Sequence, residues 1–269
     1  MKLETKRFII GGLGGLFLLS LVLVQWMETA RRAEEAGLRE AHVAVPASSE
    51  QCVSCHEQQN PGIVSHWTGS THAEKGVGCY DCHEAAQPDA DAFQHEGYLL
   101  ATVVTPRDCA RCHDAEAAEF SESHHAAAGN ILASLDNFLA ETVEGSRIDF
   151  NPHSPTPGRN FDMVTGLASA NSGCKQCHGA KVGLIATDGS ILTVDDLQPD
   201  ENGIPTNMDA VARISKDENG RPLLDSGSWP NTGIGRLNLD GSRGSCAACH
   251  SRHDFSPRRA RQPENCGKC

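Results

Sequence analysis

The chain has 269 residues with 12 cysteines and 13 histidines, but only 8 Phe, 3 Trp and 2 Tyr. At 39% hydrophobic residues, part of them in one N-terminal run, the rest is short of core material, so a group other than side chains is expected to fill the interior. A formal charge of −12 argues against a nucleic-acid partner, and twelve cysteines argue against an ordinary cytosolic enzyme.

In chain order, residues 1–7 carry Lys2, Lys6 and Arg7 and are expected on the cytoplasmic side. The uncharged run FIIGGLGGLFLLSLVLV comes next, and with Gln25, Trp26 and Met27 it extends over 8–27. At about 1.5 Å per helical residue it spans roughly 30 Å, enough for one transmembrane helix. The rival is a cleaved signal sequence, but the flank QWMETARRAEEAG offers no good small-x-small site. The expectation is therefore an uncleaved anchor, with a soluble periplasmic protein as the alternative. Either way, the chain beyond residue 27 is exported. Residues 28–48 are charged and helix-prone, a solvated linker between the membrane and a domain over 49–269.

In that domain the cysteines come only in pairs: Cys52 and Cys55, Cys79 and Cys82, Cys109 and Cys112, Cys174 and Cys177, Cys246 and Cys249, Cys266 and Cys269. The first five pairs are each followed at once by a histidine: His56, His83, His113, His178 and His250. Zinc ribbons do not need a histidine at that place, and a disulfide framework gives no reason for one. CxxCH is the haem c attachment motif: two thiols on one short turn bond the porphyrin vinyl groups and the adjacent imidazole reaches the iron. Five complete sites and part of a sixth are present, and the chain looks like a fragment ending inside a sixth motif.

Eight histidines lie outside the motifs: His42, His66, His72, His95, His124, His125, His153 and His253. A multihaem wire needs a second axial ligand for most irons. The stretches Trp67-Thr-Gly-Ser70-Thr-His72-Ala73 and Phe120-Ser-Glu-Ser123-His124-His125-Ala126 resemble each other. They make His72 and His125 the first candidates for distal ligands, with His95 and His124 next, whereas His42 and His153 read as surface residues. The first three motifs start close together, at 52, 79 and 109, so short helices and loops are expected around closely spaced haems. Two long motif-free stretches flank the fourth motif. The first, 114–173, holds a predicted helical pair over 115–128 and 131–143. The second, 179–245, is dominated by turn signals in TDGS, PDENG, KDENG and WPNTG. The fold class expected is mainly α, with a haem-filled core and long loops after one transmembrane helix.

The runs Cys246-Ala-Ala-Cys249-His250-Ser-Arg-His253-Asp-Phe-Ser and Arg258-Arg-Ala-Arg-Gln-Pro-Glu-Asn-Cys266-Gly-Lys-Cys269 resemble the octahaem hydroxylamine oxidoreductase family. So do Asn171-Ser-Gly-Cys174-Lys-Gln-Cys177-His178-Gly-Ala-Lys181 and the SHHA stretch, and the resemblance covers most of 50–269. It implies eight haems in the full-length protein and a helical fold built around them. It also implies a catalytic haem on Cys174, Cys177 and His178 with an open distal side. Acid/base groups stand over that iron in the family, and His253 with Asp254 are the candidates here, the alternatives being a distal haem ligand for His253 and an exposed surface position for Asp254. The implied activity is redox conversion of small nitrogen compounds, oxidising hydroxylamine or hydrazine or reducing nitrite or hydroxylamine. Electrons would pass through bis-histidine haems to or from a quinol-linked or soluble cytochrome partner, in a homotrimer. Oxidising members cross-link a C-terminal Tyr of a neighbouring subunit to the catalytic porphyrin, and Tyr80 and Tyr98 lie in the wrong region for that. The alternative is a non-catalytic, membrane-anchored electron-transfer cytochrome.

Overall fold

The computed structural model describes residues 19–29, 44–129, 174–230 and 233–267. Residues 19–29 are helical, and Leu19, Val22, Trp26 and Met27 on that helix are each more than 60% exposed. Among the described residues no helix is long and apolar enough to cross a membrane. The expected anchor begins at residue 8, and its first half lies outside the described residues, as does most of the 28–48 linker.

From Pro46 the chain proceeds by short helices, each started and stopped by local chemistry. A 3-10 turn, Ala47–Ser49, leads into α1, Glu50–Gln59. Asn60 precedes a proline, which disfavours helical backbone, and it breaks the helix at φ −138°. Pro61 then opens α2, Pro61–Thr68. Ser70 caps α3, Thr71–Glu74, by accepting the Ala73 N–H at 3.1 Å. The second motif forms α4, Cys79–His83, where Asp81 accepts the Gly78 N–H at 2.7 Å. Beyond it lies a hairpin, β1 Ala92–His95 against β2 Tyr98–Ala101, turned at Glu96 and Gly97 with φ of 50° and 87°. Thr105 and Asp108 cap α5, Pro106–Ala110, and α6 spans Asp114–Ser121. The helix expected over 115–128 thus stops early. Ser123 takes the Ala126 N–H into a second capped turn, as Ser70 does for Ala73. The partner helix expected over 131–143 lies outside the described residues.

After α7, Cys174–His178, the turn signals are realised as turns. Asp188, Asp200 and Asp217 each accept the backbone N–H two residues on, at 2.8–2.9 Å, and Asp240 does the same for Ser242. Between them lie the short hairpin β3 Leu184–Ile185 with β4 Ile191–Leu192, and the helices α8, Val194–Leu197, and α9, Met208–Ala212. The chain ends in α10, Ala247–His250, α11, Pro257–Ala260, and α12, Pro263–Cys266.

The side-chain core sits in this turn-rich stretch. Val182, Leu184 and Leu197 are fully buried, and Ala186, Leu192, Ile214 and Leu239 pack with them, joined by Ala90 and Val103 from the hairpin region. The motif helices contribute almost nothing to it. Glu50–Gln59, Cys79–His83 and Ala247–His250 contain no buried residue. The interior therefore has two parts, an aliphatic core under 182–239 and the motif region, whose helices gather around little protein of their own.

Asp91, buried beside the aliphatic core, accepts the Val103 N–H at 2.6 Å. Burial, reinforced by the charge of Asp89, pushes its carboxyl up to about 7. The folded-state pKa lies above the unfolded one, so stability is full below about pH 4 and is lost as pH rises towards 7, by at most about 4 kcal/mol. Asp91→Asn, which keeps the acceptor, should leave the urea midpoint unchanged near pH 4 and raise it near pH 8. Equal midpoints near pH 8 would show that burial does not raise the Asp91 carboxyl.

Candidate haem sites

Two motif helices present their histidines in the orientation an iron requires. The Nδ1 of His83 lies 3.1 Å from the Ala101 carbonyl, and that of His178 lies 3.2 Å from the Ala128 carbonyl. A carbonyl can only accept, so Nδ1 carries the proton and the Nε2 lone pair is left for a metal. His56 Nδ1 faces the Asn60 amide at 3.2 Å, and His113 Nδ1 is 3.9 Å from Glu116.

Opposite three of these rings stands a second imidazole. The ring centres of His56 and His95 are 6.2 Å apart, those of His113 and His72 6.0 Å, and those of His83 and His253 6.5 Å. A metal–imidazole bond is about 2.0–2.1 Å and the ring centre lies about 1 Å further, so two imidazoles sharing one metal have centres roughly 6 Å apart. The three pairs match that spacing. The residues present fit haem c at the first three motifs.

The motifs also meet at their thiols. Those of Cys52 and Cys79 are hydrogen-bonded, as are those of Cys109 and Cys246, and Cys82 lies within electrostatic reach of Cys109. Burial raises the Cys52, Cys79 and Cys82 thiols. The cysteines of motifs 1, 2, 3 and 5 therefore interact pairwise, Cys52 with Cys79, Cys82 with Cys109 and Cys109 with Cys246.

The fourth motif is clamped differently. The Ile234 and Gly235 N–H groups donate to the Cys177 and His178 carbonyls at 3.0 Å. Gly179 has a φ of 117°, and a Cβ there would lie 2.4 Å from the Arg236 nitrogen. Only glycine fits so close an approach. Among the described residues no second imidazole faces His178 or His250.

The other expected residues fall in varied places. His72 sits in the Ser70-capped turn, and Phe255 packs 5.6 Å from its ring. His124 and His125 are exposed in the matching Ser123 turn. His253 stacks on the histidine of the second motif and lines a cleft of about 330 Å³ with Asn60, Pro61, Gly62, Ile63 and His66. Burial, then the charges of His83, Arg252 and His66, lowers His253 to about 4. Asp254 is bound by Arg259 at 2.8 Å. Ser251, His253 and Phe255 all have left-handed backbone, with φ of 58°, 66° and 41°, a strained run that aims His253 at the second motif and Phe255 at His72. Tyr80 and Tyr98 pack on each other at 5.1 Å. Cys269 and the side chain of Cys174 lie outside the described residues, as do His42 and His153. Nothing local in the sequence pointed to Phe255, nor to the placement of a ring from 251–255 on motif 2.

Comparison with known proteins points to the same class of cofactor. A family model described as cytochrome c554 and c-prime matches residues 24–84, which hold the first two motifs. A probable nitrite reductase-hydroxylamine oxidoreductase fusion protein of Kuenenia stuttgartiensis is 25% identical over a 159-residue alignment, covering 48% of this chain and 16% of that protein. A solved structure titled hypothetical multiheme protein is 26% identical with a TM-score of 0.56, covering 88% of this chain and 44% of that one. The chain thus spans less than half the length of either relative. These likenesses support a multihaem cytochrome, similar to the hydroxylamine oxidoreductase type.

Proposed function

We propose that the protein is an exported multihaem redox enzyme that converts a small nitrogen compound at its fourth motif and moves electrons through the other haems. The observation that carries the electron-transfer part is the set of three imidazole pairs 6.0–6.5 Å apart on motifs 1, 2 and 3. In this reading His95, His253 and His72 are the distal ligands of the first, second and third haems. His125, in a turn equivalent to that of His72, serves a later iron, with His124 beside it. His253 then takes an axial place rather than a proton-transfer role, and Asp254 holds Arg259.

The catalytic part rests on the fourth motif. Cys174, Cys177 and His178 would hold a haem, which would supply the redox chemistry for a bound substrate. The chain orients His178 through the Ala128 carbonyl, and the described residues bring no imidazole against it. The likeness to a nitrite reductase-hydroxylamine oxidoreductase fusion supports a nitrogenous substrate. The apolar run over 8–27, whose described part exposes large apolar side chains, supports anchoring in the cytoplasmic membrane with 28–269 on the periplasmic side. A quinol-linked or soluble cytochrome would then be the redox partner and a homotrimer the assembly.

The second reading, a purely electron-transferring cytochrome, draws on the same three pairs. Electron paramagnetic resonance of the haem-loaded chain separates them. The enzyme reading expects low-spin signals from motifs 1–3 together with one high-spin haem, whose spectrum shifts when hydroxylamine is added. Uniformly low-spin haem with no response to hydroxylamine would leave the electron wire.

A further inference from the structure

Arg236 is a buried cation, 2% exposed, at the place where three motifs converge. Its backbone abuts Gly179 at the end of the fourth motif. Its guanidinium donates to the Val104 carbonyl at 2.8 Å, just ahead of the helix that carries Cys109. It lies within electrostatic reach of both Cys109 and Cys246. Its Nε donates to Asn238 Oδ1 at 2.6 Å, and the buried Asn238 amide is itself fixed by Ser242 and Gly244. The guanidinium carbon stands 4.7 Å from the centre of the Trp229 ring, with that of Arg252 5.0 Å from the same centre.

All of Arg236's hydrogen-bond acceptors among the described residues are neutral. The nearest carboxylate to bear on it, Asp240, is engaged by the Thr105 hydroxyl at 2.8 Å and by Arg107 at 3.6 Å. Burial and the neighbouring Arg252 lower its pKa only to about 10, so it is charged at every physiological pH. A buried cation without an ion-pair partner is costly and is retained where it acts on something. At this junction the sulfurs would hold the vinyl edge of a porphyrin, whose carboxylates lie at the opposite edge. Anchoring those carboxylates on motifs 3 and 5 is therefore not what the placement suits.

We propose that Arg236 is a fixed charge that raises the reduction potential of the haems on motifs 3 and 5, making their junction the electron sink of the chain. An oxidised haem carries one more positive charge than a reduced one. A cation held in low dielectric beside it disfavours the oxidised form, with little screening by salt. The inference rests on haem being attached at those two motifs, which is checked separately by mass spectrometry of the peptides holding Cys109–Cys112 and Cys246–Cys249.

The test is an optical redox titration of the haem-loaded chain. Arg236→Gln should lower at least one midpoint so that the reduced-to-oxidised ratio at fixed potential falls roughly tenfold, about 59 mV for one electron. Arg236→Met should do the same, and Arg236→Lys, which keeps the charge, should hold the parent's midpoints. Unchanged midpoints in a fully haem-loaded Gln or Met variant would overturn the proposal. So would a Lys variant that falls as far as the Gln variant. Loss of haem in both the Gln and Met variants would overturn it too, since Arg236 would then be a structural tie. Absence of haem from the two peptides in the parent would instead refute the attachment reading.

Discussion

Exchanging Cys79 and Cys82 together for serine should remove one haem per chain and unfold the region around the first three motifs. The helix Cys79–His83 buries no side chain of its own. It is held by contacts at its rim: Ser49 against Gly78 and Tyr80, and the His83 ring on the Ala101 carbonyl. Deleting one buried aromatic ring costs about 3–5 kcal/mol, and a porphyrin offers a far larger apolar face, so the loss should exceed that. The aliphatic core under 182–239 is built without these helices and should persist. Pyridine haemochrome analysis should fall by one haem, and limited proteolysis should open 46–129 while sparing 182–230. A variant that kept its full haem count, or that lost one haem with 46–129 as resistant as before, would contradict this account of what holds the region together.

His253→Ala should turn one low-spin haem high-spin without changing the haem count, and added imidazole should restore the low-spin form. The ring stands 6.5 Å from that of His83 with an interplanar angle of 21°, and it is driven there by left-handed backbone at Ser251, His253 and Phe255. Backbone strain of this kind, about 1–3 kcal/mol per residue, persists only where the surroundings compensate, and a metal bond does so. His66→Ala, on the other wall of the same cleft, serves as the control and should leave the spin state alone. If instead His253→Ala cut turnover about 10²–10⁴-fold and left the low-spin spectrum untouched, His253 would be a proton-transfer group.

The two candidate roles for His253 show where sequence reasoning stops. The candidate attachment residues were legible because the chemistry is local: two thiols and an imidazole must share one turn, and five-residue spacing records that. The likeness between the His72 and His125 stretches was legible for the same reason, and both form a serine-capped turn with a buried alanine, Ala73 or Ala126. The turn-rich character of 179–245 was legible at Asp188, Asp200 and Asp217, whose side chains dictate their own backbone.

Taken alone, then, the sequence determined the class of cofactor, its candidate attachment motifs, the apolar N-terminal run and the character of each segment, since all of these depend on residues within a few positions of one another. The tertiary structure decided which distant imidazole faces which motif. It brought His95 to His56 across a hairpin, His72 back to His113, and His253 from beyond the fifth motif to His83. It also decided that the side-chain core lies in the stretch with the least helical periodicity, and that Arg236 is enclosed between motifs far apart in the chain. The reason is physical: a distal ligand or a buried charge is defined by what packs against it after the chain has closed, and no spacing along the backbone encodes that closure.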